Sequence, residues 1–233
     1  GDSHTLSLLK AEKILSDFGL RIIHYSRNGC PFPLPPYGVR QDKCNNFMTN
    51  AETEIFQDLK SGDSIIINNY HLSHLGGENM KDTRHNILDK NKKSTSDPMT
   101  KINLFMAGLK ELSSKASKKS ISIYFIGSTY RNNDIPHVAV TAQKQWFRPY
   151  PIGLKTLREE ALNAQKLNKI LANKIKDSAF TNVNFINPLE ILDKSCGSNV
   201  HSYLECFRDS DHLSDKSAKE LLDFILTNYL KPQ

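Results

Sequence analysis

No apolar run in this chain approaches the ~20 residues that span a bilayer as a helix. The longest, "SISIYFIG" and "DSIIIN", are strand-sized. No C-x-x-C pair occurs, which removes the common spacing of zinc sites and dithiol redox motifs. A Gly-rich phosphate loop is missing, as are an internal repeat and a signal-peptide pattern. The chain opens on Gly rather than Met and reads as a piece of a longer or processed protein. Acidic excess is absent too: 31 Lys and Arg against 25 Asp and Glu leave a net charge of +6. The basic residues are scattered, and their densest run, "DKNKKSTSD", carries its own acids. That is a solvated surface, so no nucleic-acid partner is expected.

What is present begins with four cysteines in two local pairs, Cys30 with Cys44 and Cys196 with Cys206. They are either two disulfides, which would place the chain in an oxidising compartment, or four buried thiols in a reducing one. His71 and His74, in "HLSH", lack an obvious third ligand. No metal and no cofactor is expected.

Hydrophobic spacing predicts helices over 6–18, 50–60, 99–117, 153–177 and 214–230. Strands are expected near 20–25, 64–69, 121–127 and 182–187, the second and third reading as buried on both faces. Residues 28–46, with their prolines, read as a loop. The stretch 71–98 is a polar lid or insertion, and 128–152 is irregular and aromatic. Alternating strands and helices argue one α/β domain over residues 1–233, with a parallel sheet of four or five strands covered by helices in three layers. A helix that opens at residue 4 in such a fold normally follows a central strand, expected just upstream of Gly1.

Two polar stretches lead into helices at opposite ends of the chain: "GDSH" at residues 1–4 and "RDSDHLSD" at 208–215. Ser3 is either the cap of its helix or a nucleophile set against free N–H groups at a strand's carboxyl end. Asp209 and His212 are either turn residues or a carboxylate and the base it orients.

Taken together, "GDSH" and "D-x-x-H-L-S" before a C-terminal helix resemble the first and last signature blocks of the SGNH (GDSL-type) hydrolases. The "CP" loop and the second Cys pair ahead of "DSDHLS" are similar to the SGNH domains fused behind acyltransferase-3 membrane domains. The resemblance implies a flavodoxin-like three-layer fold and favours the two disulfides. It implies Ser3 as nucleophile, His212 as general base and acid, and Asp209 as its orienting carboxylate. Asp2 is implied to shape the nucleophile turn, and His4 belongs to the motif without a clear chemical role.

The resemblance further implies O-acyl transfer to, or hydrolysis from, a cell-surface carbohydrate, with acetyl as the default group. The acceptor would be a surface polysaccharide or a lipid-linked sugar. The acyl donor would come from an upstream membrane domain that tethers the chain outside the cytoplasmic membrane. Two other functions stay open: a catalytically inactive SGNH-like carbohydrate-binding module, and a stand-alone secreted carbohydrate esterase.

The family's "GxND" block is absent. Asn68 or Asn69, after "DSIII", stands where it would supply an oxyanion donor, with Asn69 preferred. Gly29, in "RNGC", is the one candidate for the second block, or else a plain turn glycine. The backbone N–H of Ser3 completes the set. Tyr130, Trp146, Phe147 and Tyr150 are candidates for stacking on a sugar face, or for local packing.

Overall fold

Isoleucine-rich runs make the core of this protein. The structure, a computed structural model, describes residues 2–9, 12–76, 87–129, 154–196, 206–207 and 212–230. Three short parallel strands pair in the order β1-β2-β3: β1 Ser64–Asn68, β2 Ser122–Ile126 and β3 Val183–Ile186. The register sets Ile66 beside Tyr124, and Tyr124 beside Asn184. Ile67, Ile123, Phe125 and Ile126 are all buried. Successive buried residues point to opposite faces, so the sheet is covered on both sides, as a parallel sheet requires.

Eight helices stand among the described residues: α1 Ser3–Leu9, α2 Glu12–Asp17, α3 Asp42–Asp58, α4 His71–Leu75, α5 Pro98–Ser117, α6 Leu154–Asp177, α7 Pro188–Cys196 and α8 Asp215–Tyr229. Helix α5 shows why its sequence folds as it does. Asp97 caps it, its carboxylate accepting from the Thr100 N–H at 2.6 Å, and Pro98 follows where a missing N–H costs nothing. These bonds hold the Asp97 carboxyl below its ordinary 3.8. Phe105, Leu109 and Leu112 recur on one face and are buried, with the Phe105 ring edge-on to Phe125 at 5.9 Å. Gly108 lies against the Leu34 backbone, where a Cβ would collide with the carbonyl oxygen.

The chain forms two compact units. One comprises residues 1–3, 25–128 and 166–186 and holds the sheet; the other comprises 4–24, 129–165 and 187–233. In the second, α8 packs against α7, and Leu221, Leu222, Ile225 and Leu226 of α8 are buried. Ser214 caps α8 by accepting from the Ser217 N–H at 3.3 Å. Its own N–H donates to the Cys206 carbonyl at 2.8 Å, beside the Phe207–Leu213 bridge.

Three of the four expected strands are present. The expected strand at 20–25 is not: these residues carry no ladder, and Leu20 and Ile23 are 38% and 37% exposed. A strand exists by pairing, and no described strand is hydrogen-bonded to this segment. The sheet therefore has three strands among the described residues rather than four or five. Helix α3 begins at Asp42, inside the expected 28–46 loop, because the prolines end at Pro36 and Asp42 supplies an acidic first turn. The expected helix 6–18 is helical where it is described, in α1 and α2, with residues 10 and 11 outside the described residues. Helix α4 arises within 71–98, read as a polar lid or insertion, and α7 where no helix was expected. None of the helices in the described residues is long and apolar enough to cross a membrane.

Candidate active site

Ser3 opens α1, and Asp2 before it is 2% exposed. A buried carboxylate needs hydrogen-bond donors. Asp2 Oδ2 accepts from the Tyr70 N–H at 2.8 Å and from His74 Nε2 at 2.9 Å. The Asp2 N–H donates to Asn69 Oδ1 at 3.3 Å. Asn69 and Tyr70 directly follow β1, so these bonds fasten the Asp2–Ser3 turn to the carboxyl end of that strand. Sheet ends of this kind are where α/β proteins bind ligands.

Asn69 also grips a second loop. Its Oδ1 accepts from the Phe32 N–H at 3.4 Å, and its Nδ2 donates to the Phe32 carbonyl at 2.6 Å. A carboxamide carries the donor and acceptor of a peptide unit, so it pairs with one residue's backbone much as a strand would. The Phe32 loop is further held by the Cys30–Cys44 disulfide, whose Cα atoms lie 5.3 Å apart. Gly29 precedes that disulfide at φ +70°, in a turn closed by the Cys30 N–H on the Arg27 carbonyl at 3.0 Å. The left-handed φ favours glycine there. Asn68 ends β1 opposite Ile126 and is buried.

A parallel arrangement holds the end of β2. Asn168 of α6 accepts from the Ser128 N–H at 2.7 Å and donates to the Ser128 carbonyl at 2.9 Å. The Leu72 N–H donates to Ser128 Oγ at 3.2 Å, and His71 Nε2 donates to the Ile126 carbonyl at 3.0 Å. The His71 ring stacks on Phe125, 4.6 Å between centroids. Helix α4 thus bridges the carboxyl ends of β1 and β2.

In the second unit, His4 is buried and its ring stacks on that of His212, with centroids 4.6 Å apart and planes 26° off parallel. Asp209 lies outside the described residues, as do Tyr130, Trp146, Phe147 and Tyr150. Cys206 is disulfide-bonded, while the side chain of Cys196, its expected partner, is not among those described. Among the described residues no group of three or more His, Cys, Asp or Glu could hold a metal ion.

Residue reading did not foresee Tyr70, His74 and Asn168 at these strand ends. The "HLSH" spacing was the available signal, because i and i+3 share one face of a helical turn.

A family model described as "SGNH domain (fused to AT3 domains)" matches residues 1–227, and so runs through both units. No curated protein gives a match. Among solved structures, the chain is similar to the periplasmic domain of the lipopolysaccharide acetyltransferase of Salmonella ser. Paratyphi A. The TM-score is 0.62 at 14% identity, over 99% of this chain and 82% of that one.

Proposed function

We propose that this chain, which belongs to the family of SGNH domains fused to AT3 domains, moves an O-acyl group, acetyl in the simplest case, to or from a cell-surface carbohydrate. Residues 1–233 would act as a single domain outside the cytoplasmic membrane, tethered through an upstream membrane part that delivers the acyl donor. The acceptor would be a polysaccharide or a lipid-linked sugar. The similar solved structure, named for a lipopolysaccharide acetyltransferase, supports that direction.

Ser3 Oγ would attack the acyl carbonyl while His212 takes its proton. Asp209 would orient the imidazole and stabilise the imidazolium. The donor's acyl bond would then break, its leaving group carrying off the proton held by His212. A sugar hydroxyl or water, deprotonated by the neutral His212, would attack the acyl-Ser3 ester and take the acyl group, and Ser3 Oγ would recover its proton from His212. The backbone N–H groups of Ser3 and Gly29 and an amide of Asn68 or Asn69 would hold the oxyanion. Asn69 already gives one Nδ2 hydrogen to Phe32, so it keeps one for this task.

The observation that carries the reading is the His4–His212 stack: the proposed base lies against the residue that follows the proposed nucleophile in the chain. The expected result is p-nitrophenyl acetate hydrolysis that falls by ~10⁴-fold or more in Ser3→Ala. Hydrolysis unchanged in that variant would remove Ser3 from the chemistry. The structural use of Asn69 and the absent "GxND" favour a second reading, an inactive carbohydrate-binding module. That reading predicts carbohydrate binding with no ester turnover at all.

A further inference from the structure

We propose that His74 is a positioning residue for Ser3, acting through Asp2; the inference rests on the serine reading above. The Asp2 carboxylate can only accept, so His74 Nε2 must carry the hydrogen in their 2.9 Å contact. Both side chains are almost fully buried, at 1% and 3% exposure, where water cannot replace a lost partner. The same Oδ2 takes the Tyr70 N–H, so one carboxylate oxygen joins the nucleophile turn to both the start and the body of α4.

Helix α4 is itself anchored at its other histidine. His71 Nε2 must carry a hydrogen as well, because the Ile126 carbonyl has none to give. The two histidines of "HLSH" therefore point one bond at the end of β2 and one at the residue before Ser3. The pair transmits the fixed position of the sheet to the nucleophile across 72 residues of chain. Without His74, Asp2 keeps its bonds to Tyr70 and Asn69 but loses the bond from His74 to its carboxylate. Ser3, one residue on, shifts with it. A displacement near 1 Å at a reacting atom costs on the order of 10²-fold in rate.

The test uses the 233-residue chain and a fluorophosphonate that labels reactive serines, with the adduct located by peptide mass spectrometry. His74→Gln keeps an N–H donor at about the reach of Nε2; His74→Asn has the same group too short to reach Asp2. Labelling of Ser3 is expected to be about 10²-fold slower in His74→Asn at saturating probe, with the half-saturating concentration unchanged. His74→Gln is expected to restore most of the rate. Equal labelling of wild type and His74→Asn overturns the positioning role while leaving the serine reading standing. A wild-type chain that takes no label at Ser3 defeats the serine reading and this inference together. Should His74→Asn fail to fold, ring-¹⁵N NMR of the wild type decides: the Nε2–H form of His74 supports the role, and a neutral Nδ1–H form overturns it.

Discussion

Two asparagines grip the backbone in the same manner at the ends of two neighbouring strands, and they differ in what else they hold. Asn168 holds the Ser128 backbone with bonds of 2.7 and 2.9 Å. Asn69 donates to Phe32 at 2.6 Å but divides its Oδ1 between the Phe32 and Asp2 N–H groups, at 3.4 and 3.3 Å. A shared acceptor makes longer bonds, so Asn69 is the looser clamp on its loop. In exchange it joins that loop to the residue before Ser3. The lesson is that one side-chain type serves the fold at β2 and both the fold and the proposed site at β1. At β1 the added tie is the Asp2 N–H on Asn69 Oδ1.

The largest expected effect on stability comes from the disulfide that backs the looser clamp. Replacing Cys30 and Cys44 by Ser should cost about 3 kcal/mol, since the bridge closes a loop of this length. Combined with Asn69→Ala, the loss should depart from additivity, because both devices restrain the Phe32 loop. Combined with Asn168→Ala, it should add. Urea unfolding of the single and combined variants measures this. Equal coupling to both asparagines would break the comparison.

Next come the asparagines alone. Each truncation leaves a buried N–H and C=O without their clamp, at about 2 kcal/mol. Their effects on turnover should diverge. Asn69→Ala should slow ester hydrolysis, because Asp2 loses the acceptor for its N–H. Asn168→Ala, at the end of β2, should leave the rate near wild type. Steady-state hydrolysis at a temperature where both variants are folded separates the two, and equal losses would mean that Asn69 has no special tie to the site.

The smallest effect concerns a cap remote from both clamps. The Asp97 carboxyl titrates below 3.8 when folded, chiefly because of its bond to Thr100. A lowered carboxylate contributes stability above its unfolded value and loses it as pH falls through the folded one. The stability gap between wild type and Asp97→Asn should be constant near neutral pH and should shrink below pH 3.8. Denaturation curves across pH 2–6 check the sign. A gap that grows on acidification would contradict the capping geometry.

The sequence carried the strands well where they are buried on both faces. "DSIIIN" and "SISIYFIG" each hold a continuous apolar run, which leaves little choice of element. It misled at 20–25, where "LRIIHYS" has strand composition but no described neighbour to pair with. Pairing is a property of two segments, and composition reports one. The start of α3 at Asp42 was obscured by the prolines before it. Of the candidate site, "GDSH" and "DSDHLSD" were visible as local patterns. The His74–Asp2 bond was not, since its partners are 72 residues apart and neither has a local reason to be buried. Asn168 lay hidden for the same reason, as one polar residue on a long, mostly polar helix.

The central claim is that Ser3 carries the acyl group between donor and acceptor. Its most direct measurement is peptide mass spectrometry of the chain quenched in acid within its first turnovers of p-nitrophenyl acetate. An acetyl group on the Ser3 peptide, absent in Ser3→Ala and accumulating in His212→Ala only far more slowly, is the predicted result. Ester turnover with no acetyl on Ser3 at any time point, and undiminished in Ser3→Ala, would contradict the account.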